Sequence, residues 1–375
     1  MVSKGLKTAV ADAKTVNQDQ RQKDTIALNF SIVVKPYIND DEKGILLVSF
    51  EKELEKLVIF KKLDEVFKYY QIVFIPSWTG LYSPALIQLS LRARGNVYVL
   101  PVHASERPLV GKLGKQFIPL PFNAASWINE EFFNTSDADR DIPCLIVANF
   151  GSFKRHFLLF KALRKISPQI HATCVGIPHG NRTVSSLKEE ARHYGVLDRV
   201  TFVENPSQVE LMGYFRRARV FCGLSYREGS FIAVAEALLS GTPVVLFRNS
   251  YIGTKELVKP ENGRLVDSVS ELGATIESYQ NRANYDEIKA DAIRKVSASA
   301  NILRLNQILK KAHTDRGSFW SKDVIPFYSM RLSFFYKDPN DRLQLTKDYQ
   351  RLKSFGLTIP RHANVRPAEN RASCV

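Results

Sequence analysis

Short apolar runs alternate with amphipathic segments along much of this chain. From Ile142 onward the strand candidates are "IPCLIVANF", "HATCVGIP", "RVTFV", "RVFCGLSY" and "TPVVLF". Strands that are apolar throughout and alternate with helices are typical of a parallel sheet covered by helices on both faces. Residues 139–320 are therefore predicted to form a doubly wound α/β domain. Two of its helices are predicted to start with capping boxes, at Ser186–Glu189 and Ser207–Glu210.

The front half, residues 25–138, repeats this alternation with fewer strands. Its pattern predicts a helix from about Gly44 and another opened by Pro84. The strand candidates around them are "IALNFSIVV", "QIVFIPS", "NVYVLPVH" and "FIPLPF". We expect a second, shortened Rossmann-like domain.

The segments outside these two domains are polar or irregular. Residues 1–24 carry no apolar core of the kind a secretory signal needs, and they predict a disordered tail. The polar segment 134–143 is the best candidate for an interdomain linker. Residues 321–375 are aromatic, then helical, and end in a basic tail.

Composition narrows the class of protein only modestly. The chain has 375 residues and a formal charge of +15, which predicts attraction to an acidic partner such as nucleic acid, anionic lipid or a phosphorylated small molecule. No apolar run approaches the roughly 18 residues of a membrane-spanning helix. The cysteines lack metal-like spacing and predict a reduced, cytoplasmic protein: Cys144, Cys174, Cys222 and Cys374.

The stretch "SYREGSFIAVAEALLSGTPVV", residues 225–245, holds two acids in otherwise small and apolar surroundings. Glu228 follows a predicted strand and precedes a helix, at the edge where open α/β sheets bind ligands. Glu236 lies about 12 Å further along the helix axis. The unpaired amides at the helix start can hold a phosphate, and they belong to Gly229, Ser230 and Phe231.

Two acids on either side of a phosphate site match the hydroxyls at both ends of a nucleotide diphosphate sugar. In the simpler alternative, Glu228 only caps the helix and Glu236 faces solvent. The small, apolar neighbours of Glu236 favour the ligand-binding interpretation.

The same stretch resembles the E-x7-E segment of retaining GT-B glycosyltransferases, in particular family 4, also called glycosyltransferase group 1. The family's order is kept in "EGSF", "EA" and "SGTPVV", and in "GVLDRVTFVENPSQVELMGYF", "GTKELV" and "ENGRLVD". The resemblance covers roughly residues 142–280. It implies two Rossmann-like doubly wound domains that face each other across a cleft. It also implies C-terminal helices, within residues 321–375, that cross back to the first domain.

The resemblance assigns roles to residues of the second domain. Glu228 would contact the hydroxyls of the donor sugar, and Glu236 would contact the ribose. Lys154, in "GSFKRH", would neutralise the leaving diphosphate with help from Arg155. Asn149 stands where the family usually has an arginine for the same phosphates. Alternatively, Lys154 and Arg155 form only a solvated basic end of a helix.

Three further positions follow from the resemblance. His103, at the end of "NVYVLPVH", would bind the donor sugar from across the cleft, although a lone histidine at a strand end is often structural. Gly44 stands where the family has a pair of glycines after its first strand. Glu204, in the "VENPS" turn, would lie beside the nucleotide base.

The implied reaction is sugar transfer from a nucleotide diphosphate sugar to a glycan or lipid-linked acceptor, with retention of configuration. No cofactor or metal is expected. Synthesis of cell-surface polysaccharide or lipopolysaccharide is the expected pathway, in the cytoplasm or on the anionic inner face of the membrane.

Four alternatives stay open from the sequence. A nucleotide-sugar epimerase would share the donor cleft, and an inactive scaffold would share only the fold. A metal-dependent transferase of another fold would use Asp137 and Asp139, which have the spacing of a cation site but lie in a polar segment. A nucleic-acid binder would use the scattered basic and aromatic residues, although these form no single stripe.

Overall fold

The computed structural model of the protein describes residues 25–133, 139–281, 284–315, 317–330 and 333–360. The tail predicted at residues 1–24 lies outside the described residues, as do residues 361–375 of the C-terminal segment and residues 134–138 of the predicted linker 134–143. Within the described part, no helix combines the length and apolar character needed to cross a membrane.

The front lobe is built on a five-stranded sheet in which the strands follow their order in the chain. The strands are β1 Ile26–Ala27, which lies outside this sheet, β2 Ser31–Lys35, β3 Gly44–Ser49, β4 Tyr70–Ile75, β5 Val97–Val99 and β6 Phe117–Pro119. β2 runs antiparallel to β3, and β3 to β6 are parallel. The helices are Glu51–Ile59, Leu63–Tyr69, Pro84–Arg92 and the short Arg107–Val110.

The helix predicted from Gly44 is wrong, because Gly44–Ser49 forms strand β3 and the helix begins only at Glu51. All six residues of β3 are buried. A continuous apolar run of this length fits a fully buried strand as well as a buried helix, and periodicity alone does not separate the two. The helix opened by Pro84 is confirmed, with Ser83 as its N-cap.

The back lobe holds a six-stranded sheet. The five strands predicted from apolar runs are confirmed, and β12 joins them: β7 Cys144–Val147, β8 Ala172–Gly176, β9 Val200–Glu204, β10 Phe221–Gly223, β11 Val244–Phe247 and β12 Gly263–Val266. Their order in the sheet is β12-β11-β10-β7-β8-β9, with all neighbours parallel. The helices are His156–Leu163, Val184–His193, Gln208–Arg217, Ile232–Leu239, Val269–Ser278 and Tyr285–Val296.

Both faces of the back sheet are covered. Along β7, Cys144 and Ile146 join one apolar core, while Leu145 belongs to the other. Val244 and Val245 of β11 divide between the same two cores. Because side chains alternate across a strand, this division explains why each strand reads as apolar throughout its length.

One of the two predicted capping boxes is confirmed. Ser207 accepts a hydrogen bond from the Glu210 amide (3.2 Å), and the Glu210 carboxylate accepts one from the Ser207 amide (2.7 Å). The other box begins at Thr183 rather than at Ser186. Ser186 instead serves as the third residue of that helix and accepts a hydrogen bond from the Thr183 amide.

The segment that returns to the front lobe was predicted to begin at residue 321. In the structure, the chain crosses from the back lobe to the front lobe earlier, at Ser297. The Ala298 amide donates to the Ile128 carbonyl (2.8 Å) as the chain crosses. The helix Ala298–Thr314 then buries Ile302, Leu305 and Leu309 in the core of the front lobe. The remaining elements are β13 Phe327–Met330, β14 Ser333–Tyr336, helices Asp341–Gln344 and Thr346–Ser354, and β15 Leu357–Thr358, which pairs with β1.

The returning segment is hydrogen-bonded to a buried ion pair of the front lobe. Lys35 Nζ lies 2.9 Å from Glu42 Oε1, and both side chains are almost fully buried. Burial by itself would raise the pKa of Glu42. Hydrogen bonds from Lys35 and from the backbone amides of Ser321 and Lys322 outweigh burial and lower that pKa to about 2. Glu42 therefore favours the folded state as long as it is ionised.

We expect Glu42→Gln to lower the free energy of unfolding by about 3 kcal/mol near pH 7, because it leaves the Lys35 ammonium buried without a counter-charge. The pKa of Glu42 is lower in the folded chain than in the unfolded chain. The stabilisation is therefore complete above about pH 5 and is lost as the pH falls from about 4.5 towards 2. Urea denaturation at several pH values measures the difference between wild type and variant. The exposed Glu55→Gln is the control, and a difference independent of pH would contradict this account.

Candidate active site

The order of the strands in the back sheet creates one crevice at its carboxyl edge. From β7 the chain runs outward through β8 and β9, then returns to place β10 on the other side of β7. The loops that follow β7 and β10 therefore leave in opposite directions, which is where open α/β sheets bind ligands. Lys154 lies in the first of these loops and Glu228 in the second.

An ion pair joins these two predicted site residues. Lys154 Nζ donates to Glu228 Oε1, and the two side chains are 10% and 16% exposed. The buried Ser225 hydroxyl donates to the same oxygen at 2.7 Å. Glu228 is thus oriented by a cation and a hydroxyl that both lie on the back lobe.

Three backbone amides follow Glu228 directly. Among the described residues, no acceptor is present for the amides of Gly229, Ser230 and Phe231. Phe231 caps the helix Ile232–Leu239 in a left-handed conformation (φ 46°), and its ring lies 4.9 Å from Lys154 Nζ. Free amides at a helix start, beside an ammonium group, favour the binding of a phosphate.

The front lobe closes directly over this segment. A Cβ on Gly229 would lie 3.3 Å from the backbone of Ser77 and Trp78, and a Cβ on Gly253 would lie 2.2 Å from the Val102 carbonyl oxygen. The Ser230 hydroxyl accepts a hydrogen bond from the Ala124 amide at 2.8 Å. Both glycines therefore allow the two backbones to approach closely.

His103 reaches the site through Tyr251. The two rings stack with centroids 5.2 Å apart, and the Tyr251 carbonyl accepts the Glu228 amide at 3.0 Å. The Tyr251 hydroxyl donates to the buried Glu106 carboxylate at 2.5 Å. Burial, together with this hydrogen bond, raises the pKa of the Tyr251 hydroxyl. Tyr251 thus links a front-lobe acid and His103 to the backbone of Glu228.

One tautomer of His103 fits its contacts. The Ser105 amide donates to Nδ1 at 3.3 Å, so Nδ1 acts as an acceptor. In a neutral ring the proton then resides on Nε2, which becomes a hydrogen-bond donor.

Arg155 and Asn149 stabilise the loop after β7. The Arg155 Nε donates to the Leu224 carbonyl at 2.6 Å, and burial lowers the pKa of this guanidinium. Asn149 Oδ1 accepts the Gly151 amide at 3.1 Å. Arg155 is therefore bound to the end of β10, and Asn149 shapes the turn that precedes Lys154.

The other predicted site residues lie further from the ion pair. Glu236 is half-buried in the helix Ile232–Leu239. Glu204 is exposed at the end of β9, two strands from β7 and so about 10 Å away across the sheet.

The donor contact predicted for Gly44 is wrong. Gly44 begins β3 and pairs with Tyr70 at the start of β4, so it lies at the amino edge of the front sheet, whereas His103 follows the carboxyl end of β5. A Cβ at Gly44 would lie 2.7 Å from the Tyr70 ring, so glycine is needed there for packing. The residue that follows β3 is Phe50, with a positive φ of 70°.

Ser225, Tyr251 and Glu106 were not identified from the sequence. Ser225 stands three residues before Glu228, a spacing that the sequence displays. Tyr251 and Glu106 lie 145 residues apart and meet only because the lobes close.

The described residues contain no group of three or more His, Cys, Asp or Glu side chains placed to hold a metal ion. Of the proposed Asp137 and Asp139 pair, Asp137 lies outside the described residues. Two cavities of about 630 and 620 Å³ lie away from the ion pair. The second borders β12 and is lined in part by Arg248, Lys259 and Arg264.

We expect Gly253→Ala to lower the free energy of unfolding by about 1 to 3 kcal/mol, because its Cβ would collide with the Val102 carbonyl of the opposite lobe. Gly213→Ala is the matched control. Gly213 lies within the helix Gln208–Arg217 with open space around it, so alanine should stabilise the fold by about 0.5 to 1 kcal/mol. Chemical denaturation measures both values. Equal effects of the two substitutions would show that the lobes do not meet at Gly253.

Residues 128–293 match the protein family described as glycosyl transferases group 1. A GDP-mannose:cellobiosyl-diphosphopolyprenol alpha-mannosyltransferase of Komagataeibacter xylinus is 31% identical over 125 residues. These residues make up 32% of this chain and 31% of that enzyme. The matched region thus spans about a third of the relative's length.

Solved structures share the fold at low sequence identity. Sucrose-phosphate synthase from Thermosynechococcus elongatus superposes with a TM-score of 0.56 at 18% identity, covering 72% of this chain and 74% of that one. Anabaena HepE, solved in complex with UDP, gives 0.55 at 19% identity, covering 72% and 78%. The chain therefore has the GT-B fold, and its residues 128–293 match the group 1 glycosyltransferases.

Proposed function

We propose that this protein is a retaining glycosyltransferase that moves a sugar from a nucleotide diphosphate sugar to a glycan or lipid-linked acceptor. The observation that carries this proposal is the Lys154–Glu228 ion pair at the crevice between β7 and β10, beside three unpaired amides. These groups would hold the diphosphate and the donor sugar on adjacent sides of the bond that breaks. The matches of residues 128–293 to group 1 glycosyltransferases support the same reaction class.

In the proposed mechanism, catalysis is mainly electrostatic. Negative charge grows on the diphosphate as the bond to the anomeric carbon breaks, and the Lys154 ammonium and the amides of residues 229–231 stabilise that charge. Glu228 would accept hydrogen bonds from sugar hydroxyls, and His103 would donate from Nε2. The acceptor hydroxyl would attack on the face that the diphosphate leaves and pass its proton to a phosphate oxygen.

The donor is the first property to test. HepE was solved with UDP and UDP-glucose, and the Komagataeibacter enzyme is named for GDP-mannose, so the panel should contain UDP, GDP and ADP sugars. We expect one donor at about 100 times its Kd to stabilise the fold by about 2.7 kcal/mol, seen as a rise in melting temperature. Glu236→Ala should abolish that rise, whereas Glu189→Gln, at an exposed position on the helix Val184–His193, should retain it. A panel without any response would contradict the proposal.

Lys154→Gln tests the role of the ammonium in the chemical step. We expect kcat to fall about 10²- to 10³-fold with a smaller change in the KM of the donor, because the charge on the diphosphate is greatest in the transition state. Lys188→Gln is the control, since Lys188 is exposed on a helix away from the crevice. An unchanged kcat in Lys154→Gln would overturn the role of Lys154.

The proposed mechanism uses no metal ion, so a chelator should leave wild-type turnover unchanged. Loss of turnover on chelation would overturn the metal-free mechanism.

Release of a free epimer from the donor when no acceptor is present would instead identify an epimerase with the same cleft.

The net charge of +15 supports contact with an anionic membrane surface, where lipid-linked acceptors would be met. One candidate surface is the end of the helix Glu51–Ile59, where Ile59 and Phe60 are 68% and 54% exposed and precede Lys61 and Lys62. Flotation with anionic vesicles tests this contact, and protein that stays at the bottom of the gradient would exclude it.

A further inference from the structure

Arg227 is an exposed cation that contacts an aromatic ring on each lobe. Its guanidinium lies 5.2 Å from the ring of Trp78 on the front lobe and 5.5 Å from the ring of Tyr251 on the back lobe. Two aromatic faces thus position an exposed cation between the lobes. Within the described part of the chain, the guanidinium of Arg227 has these two ring contacts but no hydrogen-bond acceptor and no carboxylate partner.

Hydrogen bonds to Glu51 anchor the Trp78 loop on both sides of the tryptophan. The Ser77 amide and the Thr79 hydroxyl both donate to the Glu51 carboxylate, at 2.8 and 2.5 Å. Trp78 between them is nevertheless 56% exposed. A large aromatic ring held in place but open to solvent, beside an unpaired cation, is suited to a ligand that offers both an apolar face and a negative charge.

Arg227 and Glu228 serve opposite sides of the same backbone. Arg227 forms a β-bridge with Tyr251, so this segment is extended and successive side chains point in opposite directions. Glu228 turns to Lys154 within the back lobe, and Arg227 turns to Trp78 on the front lobe. An anion at Arg227 is therefore separate from a diphosphate held by Lys154.

We propose that Trp78 and Arg227 form the acceptor subsite, and that it takes a saccharide that carries a phosphate. The sugar ring stacks on Trp78, and the phosphate accepts paired hydrogen bonds from the Arg227 guanidinium. This assignment rests on the proposed transferase function, because it places the acceptor beside Glu228, where the donor sugar would lie.

The test is the binding of α-glucose 1-phosphate, α-mannose 1-phosphate and N-acetylglucosamine 1-phosphate, measured by calorimetry with saturating UDP or GDP. Methyl glycosides and inorganic phosphate are the probes that lack one half of the proposed ligand. We expect wild type to bind a sugar phosphate more tightly than it binds a methyl glycoside or inorganic phosphate. Relative to wild type, the affinity for the sugar phosphate should fall at least tenfold in Arg227→Ala and several-fold in Trp78→Ala. Arg227→Lys should recover part of the loss. Arg94→Ala, at an exposed arginine elsewhere on the front lobe, should bind as wild type does.

The outcomes separate this subsite from the transferase proposal. Sugar phosphates that bind Arg227→Ala as tightly as wild type, or that fail to bind wild type at millimolar concentration, overturn the subsite. If binding is lost in Lys154→Gln but kept in Arg227→Ala, the phosphate of the probe binds at the diphosphate site beside Lys154. This result would also overturn the proposed subsite. If neither nucleotide binds but Arg227-dependent binding of sugar phosphate persists, the transferase proposal fails and the phosphosaccharide site stands.

Discussion

The Lys154–Glu228 ion pair depends on the order of strands in the back sheet. The two residues lie 74 positions apart in the chain. They meet because β7 and β10 are neighbours, so the loops that follow these strands start side by side at one edge of the sheet. Each strand keeps its place because its side chains are divided between two apolar cores. The chemistry proposed here therefore rests on packing: the sheet brings together a cation and an anion that local sequence could not pair.

Closure of the two lobes adds the second half of the site. Tyr251 has a central role, since its ring meets His103, its hydroxyl meets Glu106 and its carbonyl holds the Glu228 amide. Gly229 and Gly253 keep the backbones close enough for these contacts to form. A change at either glycine would thus reach Glu228 without touching a charged group. The arrangement explains how residues remote from the ion pair can set its geometry.

Much of the back lobe could be predicted from the sequence, because a parallel strand buried on both faces is a continuous apolar run and its turns are short. The same property misled the prediction at Gly44, where an equally apolar run forms β3. The antiparallel pairing of β13 with β14 was not predicted, because the aromatic residues of these strands show no clear period. Within the site, Glu228 and its amides were visible in one short stretch. Glu106 and Tyr251 were not, because their hydrogen bond forms only when distant segments of both lobes meet.

The proposed reaction requires a nucleotide diphosphate sugar to bind between Lys154 and the amides of residues 229–231. A crystal structure with a bound donor or nucleoside diphosphate tests this placement. We expect phosphate oxygens within hydrogen-bond distance of Lys154 Nζ and of those amides, with Glu228 released towards the sugar. A nucleotide found instead in the cavity beside β12 that Arg248, Lys259 and Arg264 line, with the Lys154–Glu228 pair intact, would rule out this binding mode.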